Sequence, residues 1–164
     1  MESLAEKISS YNLFNYFFPG IVFVIMADKL NLYHFIQENL IVGAFLYYFI
    51  GLAFYCFGSL VVHPILKKLS FVKFAKYGDF LSALNKDPKI ETLSEISSMY
   101  RTLFSVFVVI LILKIYSSFE VKVICLDENI SIYVLLFSFI LLFLFSHQKQ
   151  SDFITERIET NNKV

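Results

Sequence analysis

The sequence predicts an all-α, polytopic membrane protein. Four transmembrane helices are expected, with a cytoplasmic helical hairpin between the second and third, in a chain that works as an oligomer. Three observations carry this. Of 164 residues, 57% are apolar and 17% charged, with a mean hydropathy of +0.66; a soluble domain runs near ~45–50% apolar and ~25% charged. Residues 8–27, 39–66 and 129–148 contain no Asp, Glu, Lys or Arg, and 102–119 contains Lys114 alone. Each stretch can cross ~30 Å of hydrocarbon at a rise of ~1.5 Å per residue. Finally, the basic residues fall unequally between the stretches. Lys+Arg and Asp+Glu are 14 each, so net charge calls for neither nucleic acid nor an acidic partner. The length fits a single membrane domain over residues 1–164.

The first span is placed at about 11–28. Asn12, Asn15, Tyr16, Pro19 and Phe23 fall on one stripe about 100° wide. Asn is costly facing lipid, so this face meets protein or water. Pro19 also deprives the Asn15 carbonyl of its donor. Two readings stay open: hydrogen-bonded glue in a closed bundle, or the lining of a pore that narrows at Phe23 and Met26. A cleaved leader is the competing reading of residues 1–27. Glu2 and Glu6, two Asn and Pro19-Gly20 make poor n- and h-regions for one.

The second span is placed at about 39–62. Gly43, Gly51, Gly58 and Ser59 let another backbone approach closely, though their spacing is not that of a GxxxG pair. Residues 63–101 form the expected hairpin. Pro64 suits a helix's first turn, and Ile65, Leu66, Leu69, Val72, Ala75, Phe80, Leu81 and Leu84 recur at helical spacing. Asn85-Lys86-Asp87-Pro88 breaks the pattern. Asp87 then caps a helix with Glu91 in its first turn, which runs into the third span.

The third span, about 102–119, holds Lys114 near its outer end, above Ile110, Leu111 and Phe107. Lys114 either snorkels to the interface or, in an oligomer, forms a positive ring over an apolar constriction. The fourth span, about 130–147, is almost wholly Leu, Ile and Phe and is expected to face lipid. Seven basic residues lie in 63–101, one in the N-terminal tail and three in the C-terminal tail, against one in each remaining loop. Both termini are therefore placed in the cytoplasm.

Several chemistries find no support. Cys56 falls within the second span and Cys125 in an outer loop, so an internal disulfide is not expected. No metal site or cofactor is expected from Cys or His spacing. His63 and His147 lie at the inner ends of spans and His34 on the other side, either as interfacial residues or as a metal or pH-sensing group. No phosphate-binding Gly-rich loop, nucleophile elbow or His-Glu-x-x-His occurs. The run Lys67, Lys68, Phe71, Lys73, Phe74, Lys76, Tyr77 interleaves cations with rings. Such a run suits an anionic leaflet, or a single-stranded nucleic acid with Lys on phosphate and rings on bases.

The segment Ile8-Ser-Ser-Tyr-Asn-Leu-Phe-Asn-Tyr-Phe-Phe-Pro-Gly20, with Asn12 to Gly20 as its core, resembles the opening of small multi-pass membrane effectors of bacterial antiphage defence, of the Hailong type. The resemblance covers about a fifth of the chain, together with the four-span layout. It implies an oligomeric ion channel in the bacterial inner membrane, held closed by a single-stranded DNA or nucleotide made by a partner nucleotidyltransferase. Loss of that ligand would open the pore and depolarise the cell. No ligand residue carries over by motif; Lys67, Lys68, Lys73, Phe74, Lys76 and Tyr77 are the ligand-binding candidates on physical grounds alone. Twelve Lys against two Arg, with abundant Ile, Phe, Asn and Tyr, fit an AT-rich genome. Three function classes remain: a homo-oligomeric channel, a non-catalytic anchor docking a cytoplasmic partner through 63–101, and an intramembrane enzyme. The last is weakest, because Lys114 is the single charged residue in the four charge-poor stretches.

Overall fold

The computed structural model describes residues 13–70, 77–87, 89–118 and 128–161. Every regular element among them is helical: a π turn Leu13–Phe17, α1 Phe18–Lys29, α2 Leu40–Phe57, a second π turn Gly58–Val62, α3 His63–Lys68, α4 Tyr77–Lys86, α5 Lys89–Ser118 and α6 Glu128–Asn161. Among the described residues two helices are long and apolar enough to cross a membrane, the continuous Leu40–Lys68 and Lys89–Ile115. Only 17% and 22% of their apolar windows is buried, unlike the core helix of a soluble protein. By length and composition these two are candidate membrane-spanning helices.

The local chemistry explains the boundaries. Past α1, Asn31 takes a left-handed conformation (φ 52°) while Leu32 N–H donates to Ala27 O at 2.9 Å, a turn Asn tolerates better than most residues. Asn39 caps α2, its Oδ1 accepting from Ile41 N–H at 2.9 Å and Val42 N–H at 3.2 Å. Asp87 Oδ1 accepts from Lys89 N–H at 3.0 Å, and α5 runs unbroken from there to Ser118, as the apolar pattern predicts.

The expected helix across residues 64–84 is not continuous. It ends at Lys68, where Leu69 and Ser70 turn the chain and Ser70 adopts φ 54°. Leu69, counted as part of an apolar helical face, is exposed in this turn. Residues 71–76, which include Lys73, Phe74 and Lys76, lie outside the described residues. Helix α6 continues beyond the expected end of the fourth span at 147 as far as Asn161, while its apolar part ends at Lys149.

Helices α1, α2 and α5 make the core. Phe23, Val24, Ala27, Val106 and Ile110 are its buried centre, flanked by Ile50, Phe54, Val109 and Leu113. Gly20 and Gly51 explain how α1 and α2 come so close. A Cβ on Gly20 would overlap the Tyr47 carbonyl, and one on Gly51 would overlap the Tyr16 carbonyl. The two backbones therefore touch directly, a geometry that favours Cα–H to carbonyl contacts. Gly58 faces α5, with Ser105 Oγ 2.8 Å from where its Cβ would be. Helix α6 packs on the outside of α2, with Phe139 and Phe143 against Phe49 at ring separations of 5.5 and 6.0 Å.

Candidate functional site: a basic cluster where α3, α5 and α6 meet

Pro64 builds this site. Its nitrogen carries no hydrogen, and the π turn before it sends the His63 N–H back to Gly58 O. The Ser59 carbonyl thereby loses both usual donors: His63 is engaged one residue earlier, and Pro64 has nothing to donate. Lys149, from α6, takes up that carbonyl, donating to Ser59 O at 2.5 Å and to Ser59 Oγ at 2.9 Å. Leu13–Phe17 stands at the same offset before Pro19, so both prolines are absorbed by π turns rather than by breaks.

Arg101 enters from α5. Its guanidinium carbon lies 5.4 Å from the Tyr55 ring centroid, and its Cγ is 3.5 Å from where a Gly58 Cβ would be. Arg101 Nε is buried without a hydrogen-bond partner among the described residues. His63, Arg101 and Lys149 are all half-buried; His63 lies near the end of the 39–66 stretch, Arg101 just before 102–119 and Lys149 just after 129–148. Burial pushes His63 below the ordinary imidazole value, and the positive charges of Lys149, Arg101 and Lys67 push it further. Burial also lowers Lys149, with Arg101 adding to it. Two cations, Arg101 and Lys149, thus stand with the neutral His63 imidazole where α3, α5 and α6 meet, and such a site attracts an anion.

The residues singled out in the sequence are placed as follows. Asn15, 1% exposed, and Phe23, 7% exposed, lie inside the chain's own packing; Phe23 meets Phe54 and Phe35 at 4.8 and 6.1 Å. Tyr16 stands edge-on to Tyr48 and Tyr55 at 5.6 and 5.0 Å, and so adjoins the ring over which Arg101 sits. Lys114 donates to the Leu30 carbonyl at 3.3 Å, at the far end of the bundle. Lys67 and Lys68 are exposed in the last turn of α3. Asn12, Lys73, Phe74 and Lys76 lie outside the described residues, and Tyr77 is described in its backbone only, opening α4. Cys56 is buried as a free thiol.

Sequence reasoning treated Arg101 as a loop charge and Lys149 as tail charge. The signal that could have joined them was their shared position one residue outside an apolar stretch, Arg101 just before 102–119 and Lys149 just after 129–148, opposite a proline-disturbed helix. Among the described residues no group of three or more His, Cys, Asp or Glu could hold a metal. Compared with protein-family models, curated proteins and solved structures, the chain matches none. Fold and site together define a class: an all-helical protein with two helices suited to a membrane and a basic cluster at one end of its bundle.

Proposed function

We propose that the chain is a non-catalytic, four-span subunit of a homo-oligomeric ion channel, with both termini in the cytoplasm and the basic cluster at the inner face. One observation carries the oligomer. Leu93, Ile96, Tyr100, Phe104, Phe107, Leu111 and Ile115 are all exposed, and they recur in steps of three, four and four along α5. This eleven-residue repeat keeps one face of a nearly straight helix in register with its neighbours. Lipid could cover Phe104 to Ile115, but Leu93, Ile96 and Tyr100 precede Arg101 and lie beyond the apolar span. A protein surface is needed there, and a symmetric copy of α5 supplies the same repeat.

In this assembly α5 lines the pore. Phe107 and Leu111 form its apolar constriction and Lys114 lies on the edge of the same stripe, which suits gating by dewetting. The inner cluster of His63, Arg101 and Lys149, with Lys67 and Lys68 exposed beside it, gives an anionic ligand a place to act. The resemblance of the N-terminal segment points to a single-stranded DNA or nucleotide in that role, in a bacterial inner membrane during antiphage defence. Asn15 and Phe23, which pack inside the chain, are assigned to holding α1 on α2 rather than to the pore wall.

Ion flux from liposomes holding the purified chain tests the proposal. Leu111→Ala and Lys114→Gln should change flux at least tenfold relative to the unaltered chain, and Asn15→Ser should act through stability alone. Absence of flux under every ligand condition, with the chain correctly inserted, favours the anchor reading. In that reading the 63–101 segment docks a cytoplasmic partner.

A further inference from the structure

A second feature lies on the opposite side of α2 from the core. Leu60 and Val61 of the π turn, with Leu141, Leu142 and Phe145 of α6, wall a groove of about 470 Å³, within the ~300–1,000 Å³ typical of ligand sites. Its lip is polar: Gln148, Lys149 and Asp152. The change from apolar wall to polar lip occurs over one turn of α6, where the apolar stretch ends. The Lys149 ammonium is fixed at this lip by the Ser59 carbonyl and hydroxyl. Asp152 follows it by three residues, so the cation and carboxylate are neighbours on one helix face.

We infer that this groove binds a single glycerophospholipid of the adjoining leaflet, with an acyl chain along Leu60, Val61, Leu141, Leu142 and Phe145, its phosphate at Lys149 and a headgroup ammonium at Asp152. The division of charge selects the headgroup. A lip with cations alone would favour an acidic lipid, whereas Lys149 beside Asp152 complements a headgroup bearing phosphate and ammonium together, as in phosphatidylethanolamine. A free phosphate would leave both the apolar wall and Asp152 without a partner. The lipid fills the seam between α2 and α6 and so fixes α6 against the π turn. The inference rests on the membrane placement proposed above and does not depend on ion conduction.

Native mass spectrometry of the full-length chain, extracted in mild detergent and incubated with phosphatidylethanolamine, phosphatidylglycerol or inorganic phosphate, tests it. One phosphatidylethanolamine per protomer should survive detergent washing, in severalfold preference to phosphatidylglycerol. Val61→Trp, which fills the groove and leaves Lys149 and Ser59 untouched, should cut lipid occupancy at least tenfold; Lys149→Gln should do likewise, and Lys149→Arg should retain it. Asp152→Asn should abolish the headgroup preference. Circular dichroism of the same samples reports folding, so loss of occupancy in a folded Val61→Trp chain decides the matter even if Lys149→Gln unfolds. Full retention in Val61→Trp, displacement of the lipid by inorganic phosphate, or equal retention of the two lipids overturns the assignment. A chain that stays soluble without detergent overturns the membrane placement instead, a separate outcome.

Discussion

Gly51 shows how much a single hydrogen atom in place of a methyl can carry. Because its would-be Cβ overlaps the Tyr16 carbonyl, Gly51→Ala must push α1 from α2 and disturb the layer around Phe23 and Phe54. A loss of about 1–3 kcal/mol is expected, as for other overpacked cores. Gly43 is the control. Its nearest neighbours would lie 3.4–3.5 Å from an added Cβ, ordinary contact, so Gly43→Ala should stay within about 0.5 kcal/mol. Thermal unfolding in detergent compares the two, and equal effects would refute the direct backbone contact.

His63 gives the residue-scale pH dependence. It is lowered by burial first and then by Lys149 from α6, Arg101 from α5 and Lys67 on its own helix. The unfolded chain takes up the imidazole proton near pH ~6.5, while the folded chain resists until a lower pH. Stability from this residue is therefore complete above that value and is lost as pH falls through the depressed folded pKa. The midpoint of thermal unfolding should drop between pH 7.5 and 5.5, and His63→Gln should flatten that drop. An unchanged slope in the variant would place the titrating group elsewhere.

At the scale of elements, the π turn, Pro64 and Lys149 act as one unit. Lys149→Met leaves the Ser59 carbonyl without its ammonium donor and should cost about 1.5–3 kcal/mol, the usual worth of a hydrogen bond to a charged group. Pro64→Ala restores a backbone donor, so the same Lys149→Met change should cost less in that background. A double-mutant cycle on unfolding free energy measures the coupling, and additivity would show that the proline does not create the need for Lys149. The turn after α3 offers a simpler test. Ser70 holds φ 54°, a conformation costing about 1–2 kcal/mol for an L-residue, so Ser70→Gly should raise the unfolding midpoint.

Much of this layout is legible in the sequence. Asp87 announces the start of α5 as its cap, and two of the four charge-poor stretches, 39–66 and 102–119, coincide with the two helices long and apolar enough to cross a membrane among the described residues. The Leu69–Ser70 turn was hidden because Leu69 and Val72 continue the apolar spacing, while a left-handed Ser has no compositional marker. The partner of Gly51 was equally hidden: a small residue shows that something comes close, and only the fold shows that it is the Tyr16 carbonyl. The stripe of Asn15, Tyr16 and Phe23 was visible, but periodicity alone does not tell a buried face from a pore wall. Arg101 and Lys149 were read as separate loop and tail charges because the contact joining Lys149 to Ser59 spans 90 positions.

For the whole molecule, the balance of surfaces decides the account. One face of α5 is spent on the core through Thr102, Val106 and Ile110, while the opposite face exposes Leu93 through Ile115 over the full length of the helix. A chain that ended as a monomer would leave the part of that stripe before Arg101 in water. The proposed oligomer covers it, and it places the Lys114 ends and the Arg101 clusters on opposite rims of one assembly. The measurement that tests this most directly is the protein mass in mild detergent by light scattering, corrected for bound detergent and lipid. The account predicts one discrete multiple of the 19.1 kDa chain, shifting toward the single chain when Tyr100 and Phe104 are both changed to Ser. A homogeneous 19.1 kDa species from the unaltered, folded chain would contradict it.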